Sequence, residues 1–287
     1  MLWPDTFTNS FHPHIGQAAV TVLEAAGWRV DIPTEPVCCG LTWISTGQLA
    51  VAKRVLTKTV ADVAEHLRAG GLIVGLEPSC TAVFRSDALE LFPEDQDVRR
   101  LASQTVTLSE LLTQHTPGWT PPRLPQPMKA IAQVHCHQHA VMGWEADAEI
   151  LAQVGVDAEP LESGCCGLAG NFGYEPGHTE VSEACAEAVL LPRVRGADPS
   201  TAVLADGFSC RTQIDLLDSG GRRAAHIAEV LAAAVRGTQL PTGEPVENTM
   251  IQRPSAVPAT VRGSITAAAA AFAAAGLTLA ARKIHRR

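Results

Sequence analysis

The chain has 287 residues, of which 46% are hydrophobic and 18% charged, so it is long enough to bury one large core or two smaller ones. Its net charge of -8 argues against nucleic acid or an anionic membrane surface as the main partner of the globular part. Residues 1–5 lack the basic and apolar regions of a secretory signal, which predicts a cytoplasmic protein. In that reducing compartment, eight cysteines indicate metal binding before disulfides.

The first half of the chain alternates helix and strand patterns, which predicts a parallel sheet. In chain order, the expected elements are a helix from Pro13 to a stop at Gly27, a strand over residues 28–32, a helix over 49–67 capped by Thr46, and a strand over 72–76. Sites in parallel sheets lie beyond the carboxyl ends of the strands. The cysteines of this half are therefore expected to meet at one edge.

The second half repeats this order after a proline cluster. Proline cannot continue a helix or a central strand, so residues 117–128 are predicted to be an extended linker. The expected elements that follow are a strand over 130–134, a helix through Ile150 that stops at Gly155, a helix through Val181 and Leu190, a strand over 202–205, and a helix that opens at Cys210. The predicted fold class is α/β, with two pseudo-repeated lobes of short parallel sheets flanked by helices, at residues 1–116 and 129–236.

The composition changes abruptly after Arg236. Residues 237–262 are predicted to be a disordered linker, and an Ala-rich helix with a basic end is expected over 263–287. The length of this helix suits a membrane span, but alanine gives it only a marginal drive to leave water. Two outcomes stay open: a free helix, which alanine also favours, and loose association with the inner face of a membrane through the basic end.

Each half contains a vicinal cysteine pair, a glycine, and a third cysteine behind a small-residue turn: Cys38, Cys39, Gly40 and Cys80 in the first half, and Cys165, Cys166, Gly167 and Cys210 in the second. Two neighbouring cysteines in a regular strand would point to opposite faces, so a site that uses both needs a bent loop. The glycine permits that bend and lets backbone N–H groups approach sulfur. The repetition favours metal sites over buried cysteines that only fill space.

The second half is the stronger candidate because it offers four thiolates, the number that one [4Fe-4S] cluster needs. They belong to Cys136, Cys165, Cys166 and Cys210. Zinc is the alternative, because His135, His137 and His139 flank Cys136 and zinc accepts mixed sulfur and nitrogen ligands. The three histidines alternate around the expected turn, so at most one or two of them would bind one metal.

The first half is an incomplete version of this site. Its thiols are Cys38, Cys39 and Cys80. Asp5 offers an additional oxygen ligand, although a hard carboxylate suits a soft cluster poorly. Whether this half holds metal stays open from the sequence.

Three further residues near the motifs have weaker signals. Glu77 and Asp206 shortly precede the third cysteine of each half, and each has two explanations: a carboxylate that faces a substrate, or an exposed turn residue at a strand end. Cys185 lies within a helical pattern and is expected to be structural. The sequence shows no nucleophile and base arrangement and no G-x-G-x-x-G loop, which argues against an enzyme that acts alone.

Both halves resemble the cysteine-rich CCG domain shared by the B subunit of heterodisulfide reductase, the iron-sulfur subunits of glycolate and lactate oxidases, and the C subunit of anaerobic glycerol-3-phosphate dehydrogenase. The chain is most similar to the C-terminal part of fused, FAD-linked iron-sulfur dehydrogenases of the D-2-hydroxyglutarate and D-lactate type. The resemblance covers residues 1–236, and the phrases that carry it are LWPDTF at 2–7, GLEPSC at 75–80, GCCGLAG at 164–170 and ADGFSCR at 205–211.

This resemblance implies an iron-sulfur electron-transfer module of a FAD-linked 2-hydroxy-acid dehydrogenase. Flavin and a ferredoxin-type iron-sulfur domain are then expected on a partner or an upstream domain, because this sequence shows neither, and the chain should be inactive alone. The alternative is a zinc-binding or metal-free scaffold that docks the flavoprotein. The chain departs from the family pattern where Gly207 takes the place of a cysteine, and where residues 4–6 take the place of Cys136 in the first half.

Overall fold

Short parallel strands form two sheets in the computed structural model, which describes residues 1–251. The first sheet pairs β1 with β2, and in the second β3 lies between β4 and β5, all in parallel. Helices flank both sheets, so the predicted α/β class is confirmed. The strands are β1 (Ile73–Gly75), β2 (Thr105–Thr107), β3 (Met128–Ala132), β4 (Val156–Pro160) and β5 (Thr201–Leu204).

The helices of the described residues are mostly short. A π-helical turn at Val83–Asp87 and a 3-10 turn at Phe172–Tyr174 accompany them. In chain order, the α-helices are α1 (Thr6–Ser10), α2 (Pro13–Ala25), α3 (Leu41–Ser45), α4 (Leu49–Arg68), α5 (Pro78–Ala82), α6 (Ala88–Leu91), α7 (Gln96–Gln104), α8 (Leu108–Gln114), α9 (Cys136–Val141), α10 (Glu145–Val154), α11 (Thr179–Ala188), α12 (Leu190–Gly196), α13 (Phe208–Leu217), α14 (Ile227–Arg236) and α15 (Glu247–Met250).

The start of α4 differs from the prediction for a local reason. Gln48, rather than Thr46, is the N-cap residue, and the Thr46 hydroxyl instead donates to the carbonyl of Thr42 at 2.7 Å. Leu49 at the first helical position is 46% exposed, so the buried stripe of this helix begins at Ala52. The helix predicted from Pro13 is confirmed, with its end at Ala25.

Two other predicted elements are interrupted. Residues 28–32 form no strand, although the N–H of Leu2 donates to the carbonyl of Asp31 at 2.8 Å. This segment is an exposed sheet edge, with Ile32 59% exposed, so little packing holds it in a regular ladder. The helix predicted through Val181 and Leu190 breaks at Val189, whose φ and ψ of −141° and −49° are not helical.

The two halves follow the same chain path. In the first, Leu2 forms an isolated parallel bridge with Val74 of β1, and the segment with Asp31 and strand β2 lie on either side. In the second, β3 takes the place of Leu2 between β4 and β5, and Leu204 forms a parallel bridge with Ala225 beyond β5. The shared strand order shows that the lobes are pseudo-repeats, as the sequence predicts.

Helices of each lobe pack against helices of the other lobe. The last helix of the second lobe, α14, packs against α2 of the first, and α8 of the first lobe packs against α10 of the second. Every residue of α14 from Ile227 to Ala234 is buried. A buried contact between the His14 ring and the Glu229 carboxylate, with 3.6 Å between nitrogen and oxygen, joins α2 to α14. Residues 1–251 accordingly lie within one compact unit.

The end of the described region corrects part of the linker prediction. Residues 246–251 are ordered against the core instead of disordered: Val246 and Met250 are buried, and α15 packs against α14. The fully buried carboxylate of Glu247 accepts a hydrogen bond from Arg222 at 2.7 Å. The predicted Ala-rich helix over 263–287 lies outside the described residues. Within residues 1–251, no helix has the length and apolar character needed to cross a membrane.

Candidate metal centres

Both Cys-Cys-Gly motifs bend in the same way. Gly40 has a φ of +84° and Gly167 a φ of +94°, in the left-handed region that side chains rarely adopt. In each motif the glycine N–H lies 3.4 Å from the sulfur of the first cysteine, which is Cys38 or Cys165. The bent loop that the motif predicts is therefore present in both lobes, and each loop places a backbone N–H against a sulfur.

The second loop is more tightly packed than the first. A Cβ at Gly167 would lie 2.0 Å from the carbonyl oxygen of Ser182 and 3.1 Å from the Cβ of Cys185, both in α11. At Gly40 the nearest atom would be a side-chain carbon of Leu56 at 3.6 Å. Cys185 is exposed, as its helical pattern allows, but it lies beside the second motif, which its sequence position did not indicate.

The third cysteine of each lobe is the third residue of a helix that follows a strand. Cys80 lies in α5 behind the N-cap residue Glu77, and Cys210 lies in α13 behind the N-cap residue Gly207. Both side chains are buried, with 4% and 1% of their surface exposed. Strands β1 and β5 thus deliver the two cysteines to equivalent positions at the carboxyl ends of their sheets.

In the first lobe the structure brings two of the three predicted thiols into contact. The Sγ atoms of Cys39 and Cys80 are 2.9 Å apart and buried, whereas Cys38 is exposed. The hydrogen bond with Cys39 lowers the pKa of Cys80, but burial and the charges of Asp5 and Glu77 outweigh it and leave the pKa raised. Acidic groups therefore surround this site, which favours neutral thiols until a cation is present.

Asp5 is the fourth potential donor beside these thiols. It is 1% exposed, and its carboxylate accepts the N–H of Thr8 at 2.8 Å, which caps α1. The other carboxylate oxygen is buried and has no hydrogen-bond partner within residues 1–251. Burial raises the pKa of Asp5, with a smaller contribution from the charge of Glu77.

In the second lobe the four predicted thiols are close enough to influence one another. Interactions with the Cys136 and Cys166 thiols lower the pKa of Cys165, and the interaction with Cys165 raises the pKa of both of those partners. Cys210 also contributes to the raised pKa of Cys166. The arrangement therefore favours one thiolate, on Cys165.

The histidines beside Cys136 take different positions. His135 is 5% exposed and is the N-cap residue of α9, where its Nδ1 accepts the N–H of His137 at 3.1 Å. Burial, and secondarily His137, lowers the pKa of His135 to about 4, so this ring is neutral at pH 7. One set of three residues within 1–251 brings its donor atoms within 4.8 Å of one another, namely His135, Cys136 and His137. His139 is not part of that set.

Glu77 and Asp206 match neither explanation given to them from the sequence. The carboxylate of Glu77 is buried and accepts hydrogen bonds on both oxygens, from the hydroxyl of Ser79 at 2.7 Å and from the N–H of Phe208 at 2.8 Å. Asp206 accepts the N–H of Ile227 at 2.8 Å. Both carboxylates thus hold helix ends in place, and Glu77 joins α5 of the first lobe to α13 of the second.

The donor set of the second lobe fits an iron-sulfur cluster. Four thiols are soft donors, and clusters are held by that number of cysteines. Among the described residues, no three of these four sulfurs lie within 4.8 Å of one another. That spacing suits a group with several irons better than a single tetrahedral ion, whose ligands must all lie within bonding distance of one centre.

The fold and the cysteine motifs define a two-lobed, cysteine-rich α/β protein. A comparison with family profiles agrees: the profile of the CCG family, described as "Cysteine-rich domain", matches residues 6–85, a span that contains the first motif and Cys80. Residues 6–85 therefore match the CCG cysteine-rich domain, and the resemblance found in the motifs is confirmed for that span.

The similar proteins include a subunit of a bacterial dehydrogenase and bacterial lactate utilization proteins. The chain is 28% identical over 234 residues to the C subunit of the anaerobic glycerol-3-phosphate dehydrogenase of Escherichia coli K12, which covers 80% of this chain and 57% of that protein. It is 27% identical to lactate utilization protein A of Bacillus velezensis and 29% identical to the protein of that name in an Exiguobacterium species, over 80% and 82% of this chain and 97% of each relative. The chain thus spans little more than half of the Escherichia coli relative.

Proposed function

We propose that the chain is the iron-sulfur electron-transfer module of a FAD-linked 2-hydroxy-acid dehydrogenase, which relays electrons from a partner's flavin to an acceptor. The observation that carries this proposal is the set of four thiols that influence one another in the second lobe, Cys136, Cys165, Cys166 and Cys210. A [4Fe-4S]-type cluster bound there would supply one-electron chemistry that no side chain of this protein can supply.

The chain's own residues would hold and shield that group. Cys166 and Cys210 are 3% and 1% exposed, so the inner side of the site excludes water. Cys136 is exposed and Cys165 partly exposed, so the outer side opens to the surface, where a redox partner can approach. The N–H of Gly167 is directed at Cys165, as hydrogen bonding to a thiolate requires.

The relatives support an oxidoreductase context. One is named as part of a dehydrogenase and others as lactate utilization proteins. By analogy, a partner dehydrogenase subunit would carry FAD, and a ferredoxin-type domain would connect it to this chain. A cytoplasmic location, with the tail of residues 263–287 near the inner membrane face, would suit delivery of electrons to a membrane acceptor.

Anaerobic purification tests this proposal directly. The protein should be brown, contain iron and acid-labile sulfide, and show a paramagnetic signal in one of its redox states. Cys166→Ser should remove most of the iron, and Cys39→Ser should remove less, because the second lobe offers four thiols against three. Cys185→Ser is the control, because Cys185 lies beside the motif without belonging to the set of four thiols. Equal iron loss in Cys166→Ser and Cys39→Ser would contradict this ranking of the sites.

The second candidate is a zinc-binding scaffold that docks the flavoprotein. The compact set of His135, Cys136 and His137 favours it, because zinc accepts this mixture of ligands. A colourless protein with one zinc per chain, retained in Cys166→Ser and lost in Cys136→Ser, would support the scaffold and refute electron transfer.

A further inference from the structure

The two buried sulfur atoms of the first lobe lie very close to each other. The Sγ atoms of Cys39 and Cys80 are 2.9 Å apart. Two thiolates on one tetrahedral metal ion lie about 3.8 Å apart, because each sulfur–metal bond is about 2.3 Å long. The two sulfurs of a disulfide lie about 2.05 Å apart. The observed separation is therefore shorter than a shared metal ion requires and within about 0.9 Å of a covalent bond.

The other groups of the first lobe do not complete a cluster site. Cys38 adds a third thiol, whereas a [4Fe-4S] cluster is held by four cysteines. Asp5 uses one carboxylate oxygen to cap α1, and a carboxylate is a hard ligand for a soft cluster. The residues present in this lobe therefore fit a bond between two thiols better than they fit an iron-sulfur cluster.

The loop that carries Cys39 has space beside it for the small shift that such a bond needs. The nearest atom to a Cβ at Gly40 would be a side-chain carbon of Leu56 at 3.6 Å. In the second lobe, a Cβ at Gly167 would lie 2.0 Å from a backbone oxygen, that of Ser182. The first loop is thus less confined than its counterpart.

Cys38 is set apart from the buried pair. The Thr59 hydroxyl donates to the carbonyl of Cys38 at 2.8 Å, which ties the backbone of the loop to α4. The Cys38 side chain is exposed, whereas those of Cys39 and Cys80 are 5% and 4% exposed. Cys38 is therefore the thiol of this lobe that a small molecule in solution reaches first.

We propose that Cys39 and Cys80 are a redox-active dithiol that forms a reversible disulfide in the first lobe. The oxidant is a low-molecular-weight disulfide. One S–S bond forms in the protein and one breaks in the oxidant, which leaves as two thiols, so two electrons and two protons pass from the protein to the oxidant. Once the bond has formed, neither sulfur is a thiolate that can bind a metal ion. The second lobe takes no part, so this inference does not rest on the proposed function.

The exposed thiol gives the oxidant a route to the buried pair. Cys38 attacks the oxidant and releases one small thiol, which leaves a mixed disulfide on the protein. Cys39 then displaces the second small thiol from Cys38, and Cys80 displaces Cys38 from Cys39. Cys38 ends as a free thiol, so it changes the rate of the reaction but not its product.

Peptide mapping of the full chain tests the proposal. Trypsin cleaves after lysine and arginine, which places Cys39 in the peptide of residues 30–53 and Cys80 in that of residues 69–85. Reduced protein is equilibrated without oxygen in mixtures of reduced and oxidised glutathione, and free thiols are then blocked with N-ethylmaleimide. The two peptides should become linked with the loss of two hydrogen atoms, and dithiothreitol should separate them. Absence of the link over the whole range of mixtures would overturn the proposal.

Single variants assign the bond, because the peptide of residues 30–53 also contains Cys38. Cys38→Ser is the matched control and should form the link at the same ratio of oxidised to reduced glutathione, but several-fold more slowly. Cys39→Ser should abolish the link. A link retained in Cys39→Ser would overturn the pairing, since Cys38 would then be the partner of Cys80. The native chain gives the primary result, so a variant that fails to fold does not decide the outcome.

This experiment is independent of the electron-transfer proposal, because it needs no bound metal. A chain that takes up no iron would refute the proposed function, and the linked peptides would still establish the dithiol. Conversely, an iron-loaded chain without the link would retain the proposed function and lose this inference.

Discussion

Gly167 is the residue on which the geometry of the second motif depends most. Replacement of either Gly40 or Gly167 by alanine imposes a left-handed conformation that costs about 1–2 kcal/mol. Gly167→Ala should cost more, because its Cβ would lie 2.0 Å from the backbone oxygen of Ser182, which cannot move like a side chain. Urea unfolding of the reduced, metal-free variants measures the difference. Equal losses of unfolding free energy would show that α11 yields to the added methyl group.

A buried carboxylate gives the fold a pH dependence. Asp147 accepts hydrogen bonds from Ser109 and Gln138, and burial, followed by the charge of Asp206, raises its pKa from 3.8 to about 7. The folded state thus binds a proton that the unfolded state has released above about pH 4. The stabilisation that this bound proton gives the folded state is fully present below about pH 4 and is lost as the pH rises through about 7.

Asp147→Asn should therefore reduce the loss of unfolding free energy between about pH 5 and about pH 8, because an amide needs no proton to stay neutral. The loss from one such group cannot exceed about 1.4 kcal/mol per pH unit. Urea unfolding at the two pH values measures it, and Asp157→Asn on the exposed side of β4 is the control. The prediction would be wrong if Asp147→Asn and the native chain lost stability in parallel.

At the scale of single residues, the cysteines were predictable and their environment was not. Repetition of a vicinal pair and a glycine is visible in the sequence and points to a bent loop. The contact between His135 and Gly207 joins positions far apart along the chain, and the path of α9 and α13 decides it. From the sequence, Gly207 stands out only as the residue in the place of a family cysteine. A local sequence pattern does not show which side chain will occupy the space beside a glycine in the fold.

The elements that carry the third cysteines are connected by one carboxylate. Glu77 accepts from Ser79 with one oxygen and from Phe208 with the other, so it caps α5 and α13 together. Only a carboxylate has two accepting oxygens, and Glu77→Gln would turn an amide N–H toward one of the two helix ends. Such a loss should cost about 1–2 kcal/mol and loosen the helices that hold Cys80 and Cys210.

Metal content after a competition with a chelator measures this effect in both lobes at once. Glu77→Gln should lose metal faster than the native protein. Asp95→Ala, which removes the cap of α7 away from the cysteines, should lower stability without that change. If both variants released metal at the native rate, the shared cap would matter to folding alone.

Helices were predicted better than the sheet edges and the helix breaks. The stripe of α4 and the stop of α10 at Gly155 follow from patterns within a few residues. The segment over residues 28–32 has the composition of a strand, but it forms none because it lies at a sheet edge, where no strand of residues 1–251 pairs with its outer side. The order of residues 246–251 depends on the buried pair of Arg222 and Glu247, which lie 25 residues apart.

At the scale of the whole molecule, the sequence predicts two lobes in series, whereas the structure interlocks them. Strand order and motif spacing are repeated within each half, and these are properties that a sequence displays. The sequence does not show that α2 packs against α14 and α8 against α10. An amphipathic pattern reveals the apolar face of a helix but not which helix covers it. One core consequently includes residues of both halves.

This interlocking predicts that the lobes unfold together. Leu23 of α2 is 2% exposed in the core shared with α14, and Leu23→Ala should cost about 2–5 kcal/mol. Pulse alkylation in urea, read by mass spectrometry, reports both lobes through their buried thiols: Cys39 and Cys80 for the first, and Cys166 and Cys210 for the second. In native protein and variant alike, all four should become reactive at one urea concentration, which is lower for the variant. If Cys39 and Cys80 became reactive before Cys166 and Cys210, α2 would separate from α14 while the second lobe stayed folded. The lobes would then be independent folding units.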